Sequence, residues 1–335
     1  MTTGLGLADT FGRKFKYLRL SVTEVCNFRC VYCLPDGFAA QTCGSAAPGL
    51  LRSNEIQNLV EGFARLGVTK VRLTGGEPTV RADILEVAKA VKSVTGINTL
   101  ALTTNGYRLK TLAGPLKDAG VDQLNISVDS LTRQGFHSIT GMDRLDEVLA
   151  GVRAAQSAGF ESIKINVVLM KDRNDQEIGD YLRWAKSEKL SIRFIELMQT
   201  HSAAGIFEEA RLSLEPLRLR LVDLGFKPKT KALTEGPAQE YVHPEYVGSV
   251  GLISPYQQGF CDGCNRLRVS STGALRLCLF GDETQSASLR DLIQSPSQQS
   301  ELLHRVNTLL KLKPEAHGLH QGRLGNIQNL SQIGG

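Results

Sequence analysis

Residues 70–94 read KVRLTGGEPTVRADILEVAKAVKSV. The opening residues alternate polar and apolar, Gly75, Gly76 and Pro78 interrupt the run, and further on the apolar residues recur every three or four positions. That is a short strand, a turn and an amphipathic helix. The same unit recurs on both sides. Upstream, YLRLSVT precedes EIQNLVEGFARLG. Downstream, NTLALTTNG precedes LKTLAGPLKDAG, QLNISVD precedes a helix reaching about Gly159, SIKINVVLM precedes QEIGDYLRWAKSE, and SIRFIEL ends the series. Six strand and helix units in series predict a parallel sheet with helical crossovers. Periodicity leaves an open doubly wound sheet and a barrel as alternatives. In both, active sites form beyond the C-terminal ends of the strands, where the distinctive polar residues are expected.

After about residue 199 the pattern breaks. The remainder predicts a helix near EPLRLRLVDLG, short strands around EYVGSVGLIS and RLRVSSTGALRLCLF, and a closing amphipathic helix near SELLHRVNTLLKL. The expected division is therefore residues 1–199 as a β/α domain and 200–335 as an irregular α+β extension. The stretch 34–52, rich in Gly, Ala and Ser, reads as a mobile loop.

The chain has 335 residues, 41% of them hydrophobic and 22% charged, which excludes disordered and fibrous classes. Its opening lacks the apolar core of a signal peptide, and no run approaches the roughly 18 apolar residues of a membrane span. A cytoplasmic location without a membrane partner is the expectation, and there thiols stay reduced. The net charge of +5 comes from scattered lysines and arginines. That suits an anionic small molecule better than a nucleic acid.

Of the seven cysteines, Cys26, Cys30 and Cys33 crowd into CNFRCVYC, and Cys261, Cys264 and Cys278 form a second set. Three thiolates do not close a tetrahedral zinc shell, but they hold three corners of a four-iron cubane and leave the fourth iron open to a ligand. A zinc site completed by Cys43 or a histidine, or merely buried thiols, are the alternatives for the first set. For the second, the alternative is a structural zinc with one ligand other than cysteine. The histidines, His201 and His243 among them, show no ligand spacing, and Cys43 reads as a loop thiol without function.

CxxxCxxC after a first strand, followed by GGEP at 75–78, resembles the radical S-adenosylmethionine superfamily. RLSVTEVCNFRCVYCLPDG, VRLTGGEPTVR, TTNGYRL, NISVDSL, RFIELM, FCDGCNRLRVSSTGALRLCLFGD and the terminal IGG together resemble its GTP 3′,8-cyclase family, which acts first in molybdenum cofactor biosynthesis. The resemblance implies a partial (β/α)6 TIM-type barrel with a C-terminal extension carrying a second iron-sulfur site and closing the mouth. It implies two [4Fe-4S] clusters, on Cys26, Cys30 and Cys33 and on Cys261, Cys264 and Cys278, with the second facing the substrate. A further implication is S-adenosylmethionine held by Tyr32, Gly76, Ser127 and Met198. GTP is implied to meet Arg19, Arg72, Thr103, Lys164, Arg266, Leu267 and Arg268, with Cys26, Cys30, Cys33, Arg266 and Arg268 catalytic.

In the implied reaction a 5′-deoxyadenosyl radical takes hydrogen from C3′ of GTP, and the carbon radical attacks C8 of guanine. An electron-donor protein and the next enzyme, cyclic pyranopterin monophosphate synthase, are the implied partners of a homodimer or a monomer. The terminal Gly334 and Gly335 are implied to reach the active centre. The rival activity is another radical enzyme of the superfamily with an auxiliary cluster, maturing a peptide or modifying tRNA.

Overall fold

The structure, a computed structural model, describes residues 6–38, 49–232 and 234–334. Cys43, most of the stretch expected to be a mobile loop, and Gly335 lie outside the described residues.

The chain runs β1 (Tyr17–Thr23), α1 (Ser53–Arg65), β2 (Lys70–Gly75), α2 (Ile84–Lys92), β3 (Thr99–Thr104), α3 (Leu109–Asp118), β4 (Gln123–Ser127), α4 (Arg133–Thr140), α5 (Leu145–Ser157), β5 (Ser162–Leu169), α6 (Ile178–Ser187) and β6 (Ser191–Glu196). It continues with α7 (Ala204–Ala210), α8 (Glu215–Asp223), β7 (Lys227–Pro228), β8 (Gln239–Val242), β9 (Ser249–Ile253), β10 (Arg266–Val269), β11 (Ala274–Arg276), β12 (Ser286–Ser288) and α9 (Gln299–Leu310). Helix α1 illustrates the local logic. Ile56, Leu59, Val60 and Phe63 share its buried face, and the Glu55 carboxylate accepts the Arg52 N–H at 2.9 Å in its first turn. The single helix expected up to about Gly159 is two, because Gly141 ends α4 in a left-handed conformation at φ 68°.

The twelve strands among the described residues belong to one sheet, in the order β12-β11-β10-β1-β2-β3-β4-β5-β6-β9-β8-β7. From β10 to β9 every pairing is parallel. The parallel series therefore has two more strands than the six expected. β10 and β9, both from the C-terminal region, flank the β1–β6 series, and the sheet runs without interruption past residue 199. One face packs on the helices through Leu18, Leu20, Val71, Leu73, Leu100 and Leu102. Among the described residues, no ladder forms between β9 and β10. The C-terminal segment spans that seam: His317 Nε2 meets the Pro255 carbonyl beyond β9 at 3.0 Å, while Lys313 and Gly334 bond to the β10–β11 side. Among the described residues, no helix is long and apolar enough to cross a membrane.

Candidate active site

The first thiol loop leaves the C-terminal end of β1. Arg29 and Val31 donate backbone N–H groups to the carbonyls of Thr140 and Ile139, laying the loop along the end of α4. Cys33 N–H returns to the Cys30 carbonyl at 3.0 Å, so the loop curls on itself. All three thiols are free and half-buried. Burial pushes Cys26 up to about 11 and Cys33 up to about 12, and it raises Cys30 too; Cys26 and Cys33 act on Cys30 as nearby like charges. Three thiols converging in a dry loop, each poor at ionising alone, suit a cationic metal group that stabilises the thiolates.

Tyr32 donates its hydroxyl to Asp129 Oδ2 at 2.7 Å, while Asp129 Oδ1 accepts Val168 N–H at 2.8 Å. At the end of β2, a Cβ on Gly76 would come within 2.4 Å of the Val25 carbonyl, so this turn tolerates no side chain. Glu77 fixes the turn by accepting from Thr79, from the Thr104 hydroxyl at 2.8 Å and from Asn105 N–H at 2.5 Å. Ser127 ends β4 and Met198 follows β6, so both stand at the thiol end of the sheet.

The second thiol set is at the other end, which corrects the expectation that every distinctive residue follows a strand. Cys261 and Cys264 precede β10, which runs parallel to β1 with Arg266 opposite Tyr17. Cys278 follows β11, which runs back antiparallel to the same end. The two sets are thus separated by the length of β1, roughly 20 Å at the usual rise per residue. Burial would raise the Cys264 thiol, but Arg266 and Lys313 outweigh it and bring it down to about 7. Arg266 Nη2 lies 3.9 Å from Cys264 Sγ.

No group of His, Cys, Asp or Glu among the described residues is arranged to hold a single metal ion. Each set supplies three soft thiol donors within electrostatic reach of one another, which fits an iron-sulfur cubane with one open iron.

Between the two ends the inner sheet face is polar. Register places Arg19 between Arg268 and Arg72, with Tyr17 between Arg266 and Lys70. The Lys70 ammonium and the Arg72 guanidinium lie 5.3 and 5.5 Å from the centre of the Tyr17 ring. Arg19, Arg72, Arg266, Arg268 and Met198 line one cavity with the second thiol set. Within this interior Arg72 Nε, Thr103 Oγ1, Asn125 Oδ1 and Asn166 Oδ1 are buried without hydrogen-bond partners among the described residues, the mark of a site built for a polar ligand.

At the N-terminal ends of the strands, a cleft of about 370 Å³ gathers Lys70, Arg72, Lys164 and Arg193. Gln123 Oε1 accepts from both lysines, at 3.0 Å from Lys70 Nζ and 3.4 Å from Lys164 Nζ. Glu240 is the carboxylate that ion-pairs with Arg193, at 2.5 Å, and it also accepts from the Ser191 and Ser249 hydroxyls. Burial, then Arg193, Lys70 and Arg72, lower the Lys164 ammonium to about 6. A larger cleft of about 620 Å³, around Thr132, Ser138, Lys171 and Glu209, contains none of the cysteines.

Leu267 does not share the arginines' face. It is fully buried in the core, so only its backbone is available to a ligand. Conversely, Lys70, Asn125, Asn166 and Arg193 join the site without having been singled out in the sequence. Their signal was present, since each is a polar or charged residue inside an otherwise apolar strand, the rule that identified Arg19 and Arg72.

Thiol loop, glycine turn and parallel β/α sheet define a radical S-adenosylmethionine enzyme. The Radical SAM superfamily model matches residues 20–185, and the model described as Molybdenum Cofactor Synthesis C matches 190–319. The chain belongs to the GTP 3′,8-cyclase family. It is 48% identical to the GTP 3′,8-cyclase of Vibrio atlanticus (strain LGP32) over 98% of this chain and 97% of that protein. To the GTP 3′,8-cyclase of Cronobacter sakazakii (strain ATCC BAA-894) it is 47% identical, over 98% and 99%. Among solved structures, Streptococcus suis SuiB bound to S-adenosylmethionine is similar in fold, with a TM-score of 0.61 at 13% identity over 88% of this chain and 68% of that one. Native anSMEcpe with bound AdoMet and Cp18Cys peptide gives 0.57 at 16% identity, over 88% and 83%.

Proposed function

We propose that this protein cyclises GTP to (8S)-3′,8-cyclo-7,8-dihydroguanosine 5′-triphosphate by radical chemistry, the first step of molybdenum cofactor biosynthesis. The observation that carries the reading is an interior with a three-thiol set at each end and a row of cations between them. A nucleoside triphosphate has the matching polarity, with a base to meet one metal site and a highly charged tail for the cations.

When bound, the first cluster supplies the electron that cleaves S-adenosylmethionine to the radical that attacks GTP. Cys26, Cys30 and Cys33 hold that cluster in this reading, and Cys261, Cys264 and Cys278 hold the second. Tyr32, Gly76, Ser127 and Met198 hold the cosubstrate. Gly76 does so by leaving room at the turn, and Tyr32 from an orientation fixed by Asp129. Arg19, Arg72, Thr103, Lys164, Arg266 and Arg268 orient GTP, with Leu267 contributing only backbone. Lys70 and Arg193 extend the cationic surface for its phosphates. Leu279, Phe280, Leu319, Ile327, Leu330 and Ile333 form an apolar cluster against which both Cys33 and Cys278 pack. Such a seal keeps water from reactive radicals.

Residues 1–199 generate the radical on this reading, and 200–335 hold the second cluster and cover the open seam. Reducing power comes from a protein donor, and the product passes to cyclic pyranopterin monophosphate synthase, in the cytoplasm where free thiols persist. The deciding experiment is anaerobic incubation of the reconstituted protein with GTP, S-adenosylmethionine and reductant, followed by mass analysis of the nucleotide. A cyclised dihydro triphosphate is expected. Unchanged GTP from protein carrying about eight irons, the content of two four-iron clusters, would overturn the reading.

A further inference from the structure

Arg13 and Lys313 come from opposite ends of the described chain and meet at the second thiol set. Arg13 is 9% exposed and Lys313 4%. Burying two cations is costly unless each is fully engaged. Arg13 Nε pairs with Asp9 Oδ2 at 2.6 Å, its Nη1 donates to the Cys261 carbonyl at 3.1 Å and to the Glu315 carbonyl at 2.5 Å, and its Nη2 donates to the Pro314 carbonyl at 2.6 Å. The Phe11 ring lies 5.2 Å from the guanidinium carbon. Lys313 donates to the carbonyl of Leu277, the residue before Cys278, and its ammonium is 5.3 Å from the Phe15 ring centre. No carboxylate among the described residues pairs with Lys313 within 4.0 Å.

We propose that Arg13 and Lys313 are positioning residues of the second cluster: two buried cations that grip the backbone at Cys261 and beside Cys278, and so set the shape and the electron affinity of the group those thiolates bind. The inference rests on the assignment of Cys261, Cys264 and Cys278 to that cluster. Arg13 supplies shape. Its rigid fork ties the N-terminal turn, the Cys261 loop and the segment after Lys313 into one unit, and a lysine in its place reaches fewer of the carbonyls. Lys313 supplies charge. Reduction adds a negative charge to the cluster, so a buried cation beside it favours the reduced state and raises the potential.

The surroundings of the two sets are opposite in sign. Glu77 faces Cys26, and Asp129 faces Cys30 and Cys33. Arg266 and Lys313 face Cys264, and Arg13 faces Cys261.

The test is iron content, paramagnetic resonance of the reduced protein and a potentiometric titration, on the reconstituted wild type and on Arg13→Gln, Lys313→Met and Lys313→Arg. Cys278→Ala identifies the signal of the first cluster. Arg13→Gln is expected to lose iron from about eight toward about four per chain, or to keep it with an altered second-cluster signal. Lys313→Met is expected to lower the second-cluster potential without moving the first, and Lys313→Arg to restore it. Wild-type iron, signal and potential in both Arg13→Gln and Lys313→Met would overturn the proposal. So would a Lys313→Met shift that Lys313→Arg does not reverse. Should Arg13→Gln fail to fold, the two Lys313 variants decide. Wild-type protein that binds only about four irons would instead overturn the second-cluster assignment itself.

Discussion

Arg268 Nη1 donates to the carbonyl oxygen of Gly334 at 2.7 Å, tying the last residue described to a strand of the central sheet. Gly334 has a φ of 66°, and a Cβ there would lie 2.1 Å from Thr74 Oγ1. Its neighbours are therefore Thr74 of β2 on one side and Arg268 of β10 on the other. Gly334→Ala meets both obstacles, a left-handed backbone costing about 1–2 kcal/mol and a collision with Thr74. Cyclisation is expected to fall while iron content and fold persist. A variant that cyclises GTP at the original rate would show that this end of the chain is only a frayed terminus held by chance.

Cys30 is the thiol on which both Cys26 and Cys33 act as nearby like charges. Cys30→Ser should abolish formation of 5′-deoxyadenosine, measured by chromatography after anaerobic incubation with reductant. Cys278→Ala should retain part of that cleavage yet form no cyclised product, since the two thiol sets stand at opposite ends of the strands. Cleavage undiminished in a Cys30→Ser sample shown to lack the first cluster would sink the assignment of roles.

Arg266 and Arg268 share the inner face of β10, with Arg268 beside Arg19 in register. Replacing either by Ala should weaken GTP binding by about 1.5–3 kcal/mol, the range for hydrogen bonds to charged groups. Arg268→Ala should in addition release Gly334. Equilibrium binding of GTP and guanosine compares the two: equal affinities in the unmodified protein would mean that no phosphate site exists.

Lys164 gives a pH dependence. Its ammonium is lowered to about 6, first by burial and then by Arg193, Lys70 and Arg72, so near neutral pH it is largely uncharged. Around it stand Lys70 and Arg72 on β2, Gln123 on β4, Arg193 on β6, and Glu235 and Glu240 from the segment beyond α8. A bound polyphosphate favours the charged form. GTP binding should thus take up a proton, and affinity should fall as pH rises above about 6. In the unliganded protein the unfolded chain holds the extra proton between about 6 and the ordinary 10.5, so Lys164 makes stability rise with pH across that window. Calorimetry in buffers of different ionisation heat measures the uptake, which Lys164→Met should diminish. The same uptake in both proteins would place Lys164 away from the phosphates.

Local chemistry was legible in the amino-acid order. Strand, turn and helix follow from periodicities within about ten residues, and a three-thiol loop is set by spacing alone, so β1 to β6 and the two cysteine sets could be read directly. Gly141 carries a terminator signal as well, and it ends α4 inside the stretch expected to be one helix. Arg193 obeyed the same strand rule as Arg19 and Arg72.

What the order of residues determined by itself was which side chains alternate to the same face and which loops carry thiols. It did not determine which strands become neighbours, because a parallel partner is chosen by the burial of whole faces and not by adjacency in the chain. Tertiary structure alone brought β10 beside β1, so that Arg268, Arg19 and Arg72 form one row across three strands. The same choice turned the second thiol set to the opposite end from the first, since β10 begins where β1 begins. It also set Arg13 against Cys261, 248 residues away. No periodicity encodes that contact. It exists because a buried guanidinium needs several acceptors at once, and only the folded chain collects them in one place.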